Sequence, residues 1–167
     1  MKPPQKAGEF MLGVFGPYSG TGPQKLKSIC RNIVKTTGLS AVRAIDLYPL
    51  SRKAKDEEKF LGSLVLTNKA SAGLFVVFKP KTLGVHESEL MRSIQSIAYE
   101  AGRMQTLGKP TALICERGTQ ELISSIFKGA CWDDTAEEDF EKKQNFYNLV
   151  TSLTLTLYEL CRTKESG

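Results

Sequence analysis

Histidine, paired cysteines and long apolar runs are what this sequence lacks. Its 167 residues include one histidine, His86, and four scattered cysteines, none of which forms a CxxC pair. Metal centres of the zinc type need clusters of such ligands, so we predict no metal site and no cofactor. No apolar run approaches the roughly 20 residues of a membrane span, and no apolar signal region precedes the first predicted strand. We therefore expect a cytoplasmic protein with reduced thiols and no membrane partner.

Clusters of one charge are also absent. The formal net charge is only +5, and the basic residues are spread along the chain without interleaved aromatic residues. This distribution argues against nucleic acid as a partner, whereas a small anionic molecule would suit it. The length fits one domain, which we place at residues 10–162, after a flexible Lys/Pro-rich tail at residues 1–9.

Short apolar segments alternate with amphipathic ones along the whole chain. The predicted strands are residues 10–15, 41–47, 73–78, 110–115 and 129–132. The predicted helices are residues 24–37, a segment around 60–65, a long helix through 90–104, and residues 120–127 and 137–161. Such alternation predicts a flavodoxin-like, doubly wound α/β fold: one three-layer domain around a parallel five-stranded sheet in the order 2-1-3-4-5.

A glycine-rich loop, GPYSGTG, follows the first predicted strand. It matches neither the dinucleotide-binding GxGxxG pattern nor a Walker A loop. Its backbone amides, its hydroxyls and the following helix N-terminus together favour an anion site. A strand-to-helix turn that needs glycine only for its geometry stays an equal alternative. The candidate ligand-binding residues of this loop are Gly16, Pro17, Tyr18, Ser19, Gly20 and Thr21.

The long helix through residues 90–104 carries the candidate catalytic group. Its apolar residues share one stripe at 100° per residue: Leu90, Ile94, Ile97, Ala101 and Met104. Glu100 borders this stripe, and Ser93 and Ser96 lie on the same flank, where they are candidate ligand contacts. A carboxylate at such a margin can line a cleft that tunes its pKa, although rim glutamates often reach water instead.

Three isolated residues near predicted strand ends or loops carry weaker signals. His86 stands without metal partners, which is typical of an ordinary loop residue. Arg43 and Lys79 could meet a phosphate, but exposed basic residues at such positions are common.

The segments VFGPYSG and IAYEAGRMQTLGKPTALICER resemble the nucleoside 2-deoxyribosyltransferases and the related 2′-deoxynucleoside 5′-phosphate N-hydrolases. The resemblance covers roughly residues 11–132. It implies that the chain binds a nucleotide or nucleoside and cleaves or transfers its N-glycosidic bond. It also implies that Glu100 acts at C1′ of the sugar, that Gly102 completes its motif, and that the protein is a homodimer.

Two alternatives follow from the same residues. The helix with Arg92, Gln95, Glu100 and Gly102 is also similar to TIR-like nucleotide-binding domains, some of which cleave NAD. Where the transferase family has an aspartate at the start of the third strand, this chain has Gly73. A nucleotide-binding module without catalytic activity is therefore the third hypothesis.

Overall fold

A computed structural model describes residues 9–48, 56–119, 130–132 and 140–166 of the chain. The strands are β1 (Met11–Phe15), β2 (Ser40–Val42), β3 (Ala72–Val77), β4 (Thr111–Glu116) and the short β5 (Ala130–Trp132). The helices are α1 (Gly22–Thr37), α2 (Ala44–Leu47), α3 (Asp56–Lys69), α4 (Pro80–Leu83), α5 (Glu87–Thr106) and α6 (Phe140–Ser166). In this part of the chain no helix has both the length and the apolar composition that crossing a bilayer requires.

The strands β1 to β4 form a parallel sheet in the order β2-β1-β3-β4, which confirms the predicted α/β architecture. The three residues of β5 pair with the outer side of β4. Every residue of β3 is buried, as its unbroken apolar composition predicts for a strand covered on both faces. This arrangement is consistent with a flavodoxin-like fold.

Helices cover the sheet in two groups. One group consists of α1 and α6, which pack on each other, and the other brings α3 against both α2 and α5. The apolar stripe of α5 is buried as predicted, and Gly38 ends α1 with a positive φ of 71°.

The second strand is shorter than predicted. Residues 44–47 form the helical turn α2 instead of continuing β2. The reason is the pair Arg43 and Asp46, which forms a capping box: the Asp46 carboxylate accepts from the Arg43 backbone N–H at 2.9 Å and from its guanidinium. These bonds outweigh the strand preference of the apolar residues between them.

Between β3 and α5 the chain forms a further helical turn, α4. Pro80 suits the first position of a helix, and Gly84 ends this one with a φ of 69°. The predicted helix at residues 120–127 and the side chains of Cys131 and Trp132 lie outside the described residues, as do residues 1–8 of the predicted tail.

Candidate functional site

Glu100 is a buried carboxyl group in the middle of α5. Only 9% of the residue is exposed. Burial raises the pKa of this carboxyl to about 7, and a hydrogen bond from Ser63 opposes that rise. At neutral pH both the carboxylate and the carboxylic acid are therefore populated.

Tyr18 extends from the glycine-rich loop toward this carboxyl group. The residue as a whole is 38% exposed, whereas its hydroxyl oxygen accepts the Ala44 N–H at 3.1 Å in a partly buried position. Burial raises the pKa of the phenol well above its usual value, and the charge of Glu100 raises it further. Tyr18 therefore stays protonated at neutral pH and can donate its hydroxyl hydrogen to a nearby oxygen.

The hydroxyl of Ser63 comes from α3, which packs against α5. Gly62 precedes it on the side that faces α2, where an added Cβ would lie 3.7 Å from atoms of Tyr48. An alanine Cβ would make an ordinary van der Waals contact here, so the packing of α2 on α3 does not require glycine. Ser63 could not be identified from the sequence, because α3 has a weak apolar pattern and a single serine in a helix is commonplace.

Arg43 lies beside Tyr18, but its charge is already paired. Its guanidinium donates to both oxygens of Asp46, at 3.1 and 2.9 Å, and to the carbonyl oxygen of Pro23 at 2.9 Å. Arg43 itself holds the pKa of Asp46 below its usual value. The residue is buried, so the expectation of an exposed basic side chain at this position is wrong.

Cys30, on α1, also lies near Tyr18. Burial raises the pKa of its thiol to about 12, so the sulfur is not a thiolate at neutral pH and is a poor nucleophile. Cys115 and Cys161 are buried as well. In the described ranges no group of three or more potential metal ligands is assembled.

Two amides at the end of the glycine-rich loop donate hydrogen bonds within the protein. The Thr21 N–H donates to the Leu83 carbonyl oxygen and the Gly22 N–H donates to the Ser19 carbonyl oxygen, both at 3.0 Å. Pro23, near the start of α1, has no N–H to offer. The loop therefore presents fewer free donors to an anion than its composition predicts.

The glycines of this loop lie against other atoms of the fold. Gly20 has a φ of 56°, and a Cβ there would lie 2.0 Å from the Leu83 carbonyl oxygen. Gly16 and Pro17 are buried, and the Ser19 hydroxyl is buried without a hydrogen-bond partner among the described residues. These contacts favour the geometric role of the glycines over close approach to a phosphate.

The remaining candidate residues on α5 make no contact that links them to Tyr18 or Glu100 among the described residues. The hydroxyls of Ser93 and Ser96 donate to the carbonyls of Glu89 and Arg92 in their own helix, at 3.2 and 3.5 Å. Ser96 and Gly102 are exposed, and a Cβ on Gly102 would meet no atom within 4 Å. Tyr18 and Glu100 are thus close enough for their charges to interact, whereas Ser96 and Gly102 are exposed on the surface of α5.

Gly73 occupies the position at which the nucleoside 2-deoxyribosyltransferases, which the sequence resembles, have an aspartate. A Cβ at this position would lie 2.8 Å from the Phe75 ring, 3.2 Å from Met104 and 3.3 Å from the Phe15 ring. The Phe15 and Phe75 rings are stacked, with centroids 4.6 Å apart. Aromatic packing therefore occupies the space that a carboxylate side chain would need.

His86 begins α5 and is exposed. Its Nδ1 accepts the Ser88 N–H at 3.3 Å, an N-cap contact that explains the residue without catalysis.

Comparison with known proteins gives a fold but not a family. No protein-family model matches the sequence, and no curated protein matches it either. One similar solved structure is the 2-deoxyribosyltransferase of Bacillus psychrosaccharolyticus. It is 14% identical, with a TM-score of 0.50, and the match covers 78% of this chain and 93% of that one. At this identity the likeness is evidence for the fold alone.

Proposed function

We propose that this protein binds a nucleoside or nucleotide and cleaves or transfers its N-glycosidic bond, with Glu100 as the acting carboxylate. One observation carries the proposal: a buried carboxyl group whose pKa is about 7 lies near a tyrosine that stays protonated at neutral pH. It occurs in a fold that resembles a 2-deoxyribosyltransferase, a likeness that suggests nucleoside glycosyl transfer.

The chemistry that these groups support is a double displacement. The Glu100 carboxylate forms a bond to C1′ as the C1′–N bond breaks, and the departing base takes the electron pair and accepts a proton from water. A second base or a water molecule then attacks C1′ and releases the carboxylate. The first acceptor makes the enzyme a transferase and the second makes it a hydrolase.

The surroundings of Glu100 fit a nucleophile of this kind. A desolvated carboxylate is stabilised less by water in its ground state, and a pKa of about 7 still leaves part of the population ionised at neutral pH. The Tyr18 hydroxyl can donate to the carboxylate or to a bound sugar and so fix the position of either.

Substrate contacts beyond this pair are part of the proposal. Residues 16–21 would border the sugar or its 5′ end, Ser93, Ser96 and Gly102 would lie toward the outer part of the site, and a homodimer could cover that outer part. The chemistry needs no cofactor, because the carboxylate itself forms and releases the covalent bond.

A second candidate is a binding module without catalytic activity. It is favoured by Gly73, whose surroundings are filled by Phe75, Met104 and Phe15 where a catalytic aspartate would otherwise stand. The TIR-like alternative uses the same glutamate on a ribosyl bond of NAD and stays a prediction.

A substrate panel distinguishes these functions. The purified protein is incubated separately with deoxynucleosides, deoxynucleotides, ribonucleotides and NAD, with and without a second base, and free base is measured by chromatography. Base release from deoxynucleosides or deoxynucleotides supports the proposal, and exchange with the added base identifies a transferase. Nicotinamide release favours the TIR-like function, and saturable binding without any release favours the silent module.

A further inference from the structure

A second buried glutamate, Glu116, closes the carboxyl end of β4 and is only 1% exposed. Its Oε2 accepts the Lys79 backbone N–H at 2.6 Å, and its Oε1 accepts the Thr82 hydroxyl at 2.8 Å. Both donors belong to the segment that forms α4. One carboxyl group therefore fixes this four-residue turn at two points, and hydrogen bonds to a carboxylate are stronger than those between neutral groups.

The fixed turn in turn supports the glycine-rich loop. The carbonyl oxygen of Leu83, in α4, accepts the Thr21 N–H at 3.0 Å, and the carbonyl oxygen of Thr82 accepts the Thr21 hydroxyl at 3.3 Å. Gly20 lies so close to the Leu83 carbonyl that no side chain fits between them. A displacement of α4 would therefore displace the loop.

We propose that Glu116 is a positioning residue: through α4 and the glycine-rich loop it sets the place of Tyr18 relative to Glu100. Tyr18 precedes Gly20 by two residues, so a shift of the loop is transmitted to its ring over a short distance. The Tyr18 hydroxyl also accepts a hydrogen bond from the Ala44 N–H of α2, and this bond does not involve Glu116. The effect of Glu116 on catalysis rests on the function proposed above, whereas its effect on the position of Tyr18 does not.

The coupling can be measured without any activity. The five tyrosines are labelled with ¹³C at Cζ, and the Tyr18 signal is identified as the one that Tyr18→Phe removes. Glu116→Gln and Thr82→Val should each shift or broaden this signal, whereas Thr82→Ser keeps the donated hydroxyl and should restore the parent position. Thr82 is only half-buried, so Thr82→Val tests the coupling even where Glu116→Gln fails to fold.

Thr119→Val is the matched control for destabilisation of the same strand end. The Thr119 hydroxyl donates to the backbone carbonyl of Glu116 at 2.7 Å and does not touch its carboxyl group. This variant should leave the Tyr18 signal in place. The proposal would be overturned if the Tyr18 signal were unchanged in both Thr82→Val and folded Glu116→Gln. It would also be overturned if Thr119→Val moved the signal as far as those variants do.

A double-mutant cycle on the rate of base release tests whether Glu116 affects catalysis through Tyr18. Glu116→Gln should lower kcat on the order of 10-fold in the parent, since small misplacements of a catalytic group are costly. It should have little effect in a Tyr18→Phe background if the two residues act in one chain. Equal losses in both backgrounds contradict an action through Tyr18, whereas no base release from the parent would refute the proposed function and leave the ¹³C result to decide the coupling.

Discussion

The Ser63 hydroxyl on α3 donates a hydrogen bond to the buried carboxyl group of Glu100 on α5. Burial favours the neutral acid, and this bond favours the carboxylate, so the two effects act against each other. The result is a group that changes charge near pH 7, the range in which a nucleophile can be both buried and partly ionised.

Ser63→Ala should therefore raise the pKa of Glu100 further. Without the donated hydrogen bond, burial acts alone, and the acid limb of the pH–rate profile for base release should move to higher pH. Ser152→Ala, an exposed serine on α6, is the matched control and should leave the profile unchanged. An acid limb that stays in place in Ser63→Ala would show that Glu100 is not the group that titrates.

Glu100→Gln should stabilise the protein at high pH. The folded-state pKa is about 7 against 4.5 for the unfolded chain, so the parent loses stability as the pH rises between these values. The glutamine variant has no charge to bury, and above pH 7 it should be more stable by as much as about 3 kcal/mol. Urea unfolding at pH 4 and pH 8 measures the effect: a stability difference that does not grow with pH contradicts the burial of an ionisable Glu100.

Much of the fold, but only part of this site, could be predicted from the sequence. Apolar periodicity located the main strands and α5, because those segments have one dominant packing demand. The pairing of Arg43 with Asp46 replaced the end of a predicted strand by a helical turn, since specific side-chain hydrogen bonds override apolar composition over four residues. Ser63 and Glu116 were not identified, because their roles depend on contacts between elements that are distant in sequence.

Tyr18→Phe should slow base release and slightly destabilise the fold. It removes the acceptor of the Ala44 N–H, which costs about 1 kcal/mol, and it removes the donor near Glu100. We expect kcat to fall on the order of 10-fold with a smaller change in KM, if the hydroxyl acts mainly in the transition state. Tyr99→Phe, on the exposed side of α5, serves as the control. Unchanged kcat in folded Tyr18→Phe would remove the hydroxyl from the mechanism.

Gly20→Ala tests what the glycine-rich loop does. Gly38→Ala introduces the same methyl group at a similar positive φ but in open space, and should cost about 1 kcal/mol. Gly20→Ala also collides with the Leu83 carbonyl and should cost roughly 1–3 kcal/mol more. Thermal unfolding compares the two variants. If the loop serves packing, activity on nucleosides and nucleotides should fall alike, whereas a loss confined to phosphorylated substrates would show that the loop binds phosphate.

Base release by the parent and by Glu100→Gln on the same deoxynucleoside or deoxynucleotide, with binding measured in parallel, tests most directly whether Glu100 is the acting carboxylate. Glutamine keeps the shape of the side chain and removes its charge, so binding should largely survive. We predict base release by the parent and a fall on the order of 100-fold or more in turnover by the variant, because the carboxylate acts in the transition state. Base release at the parent rate from a variant that folds and binds would contradict this prediction, as would a parent that binds these compounds and releases no base.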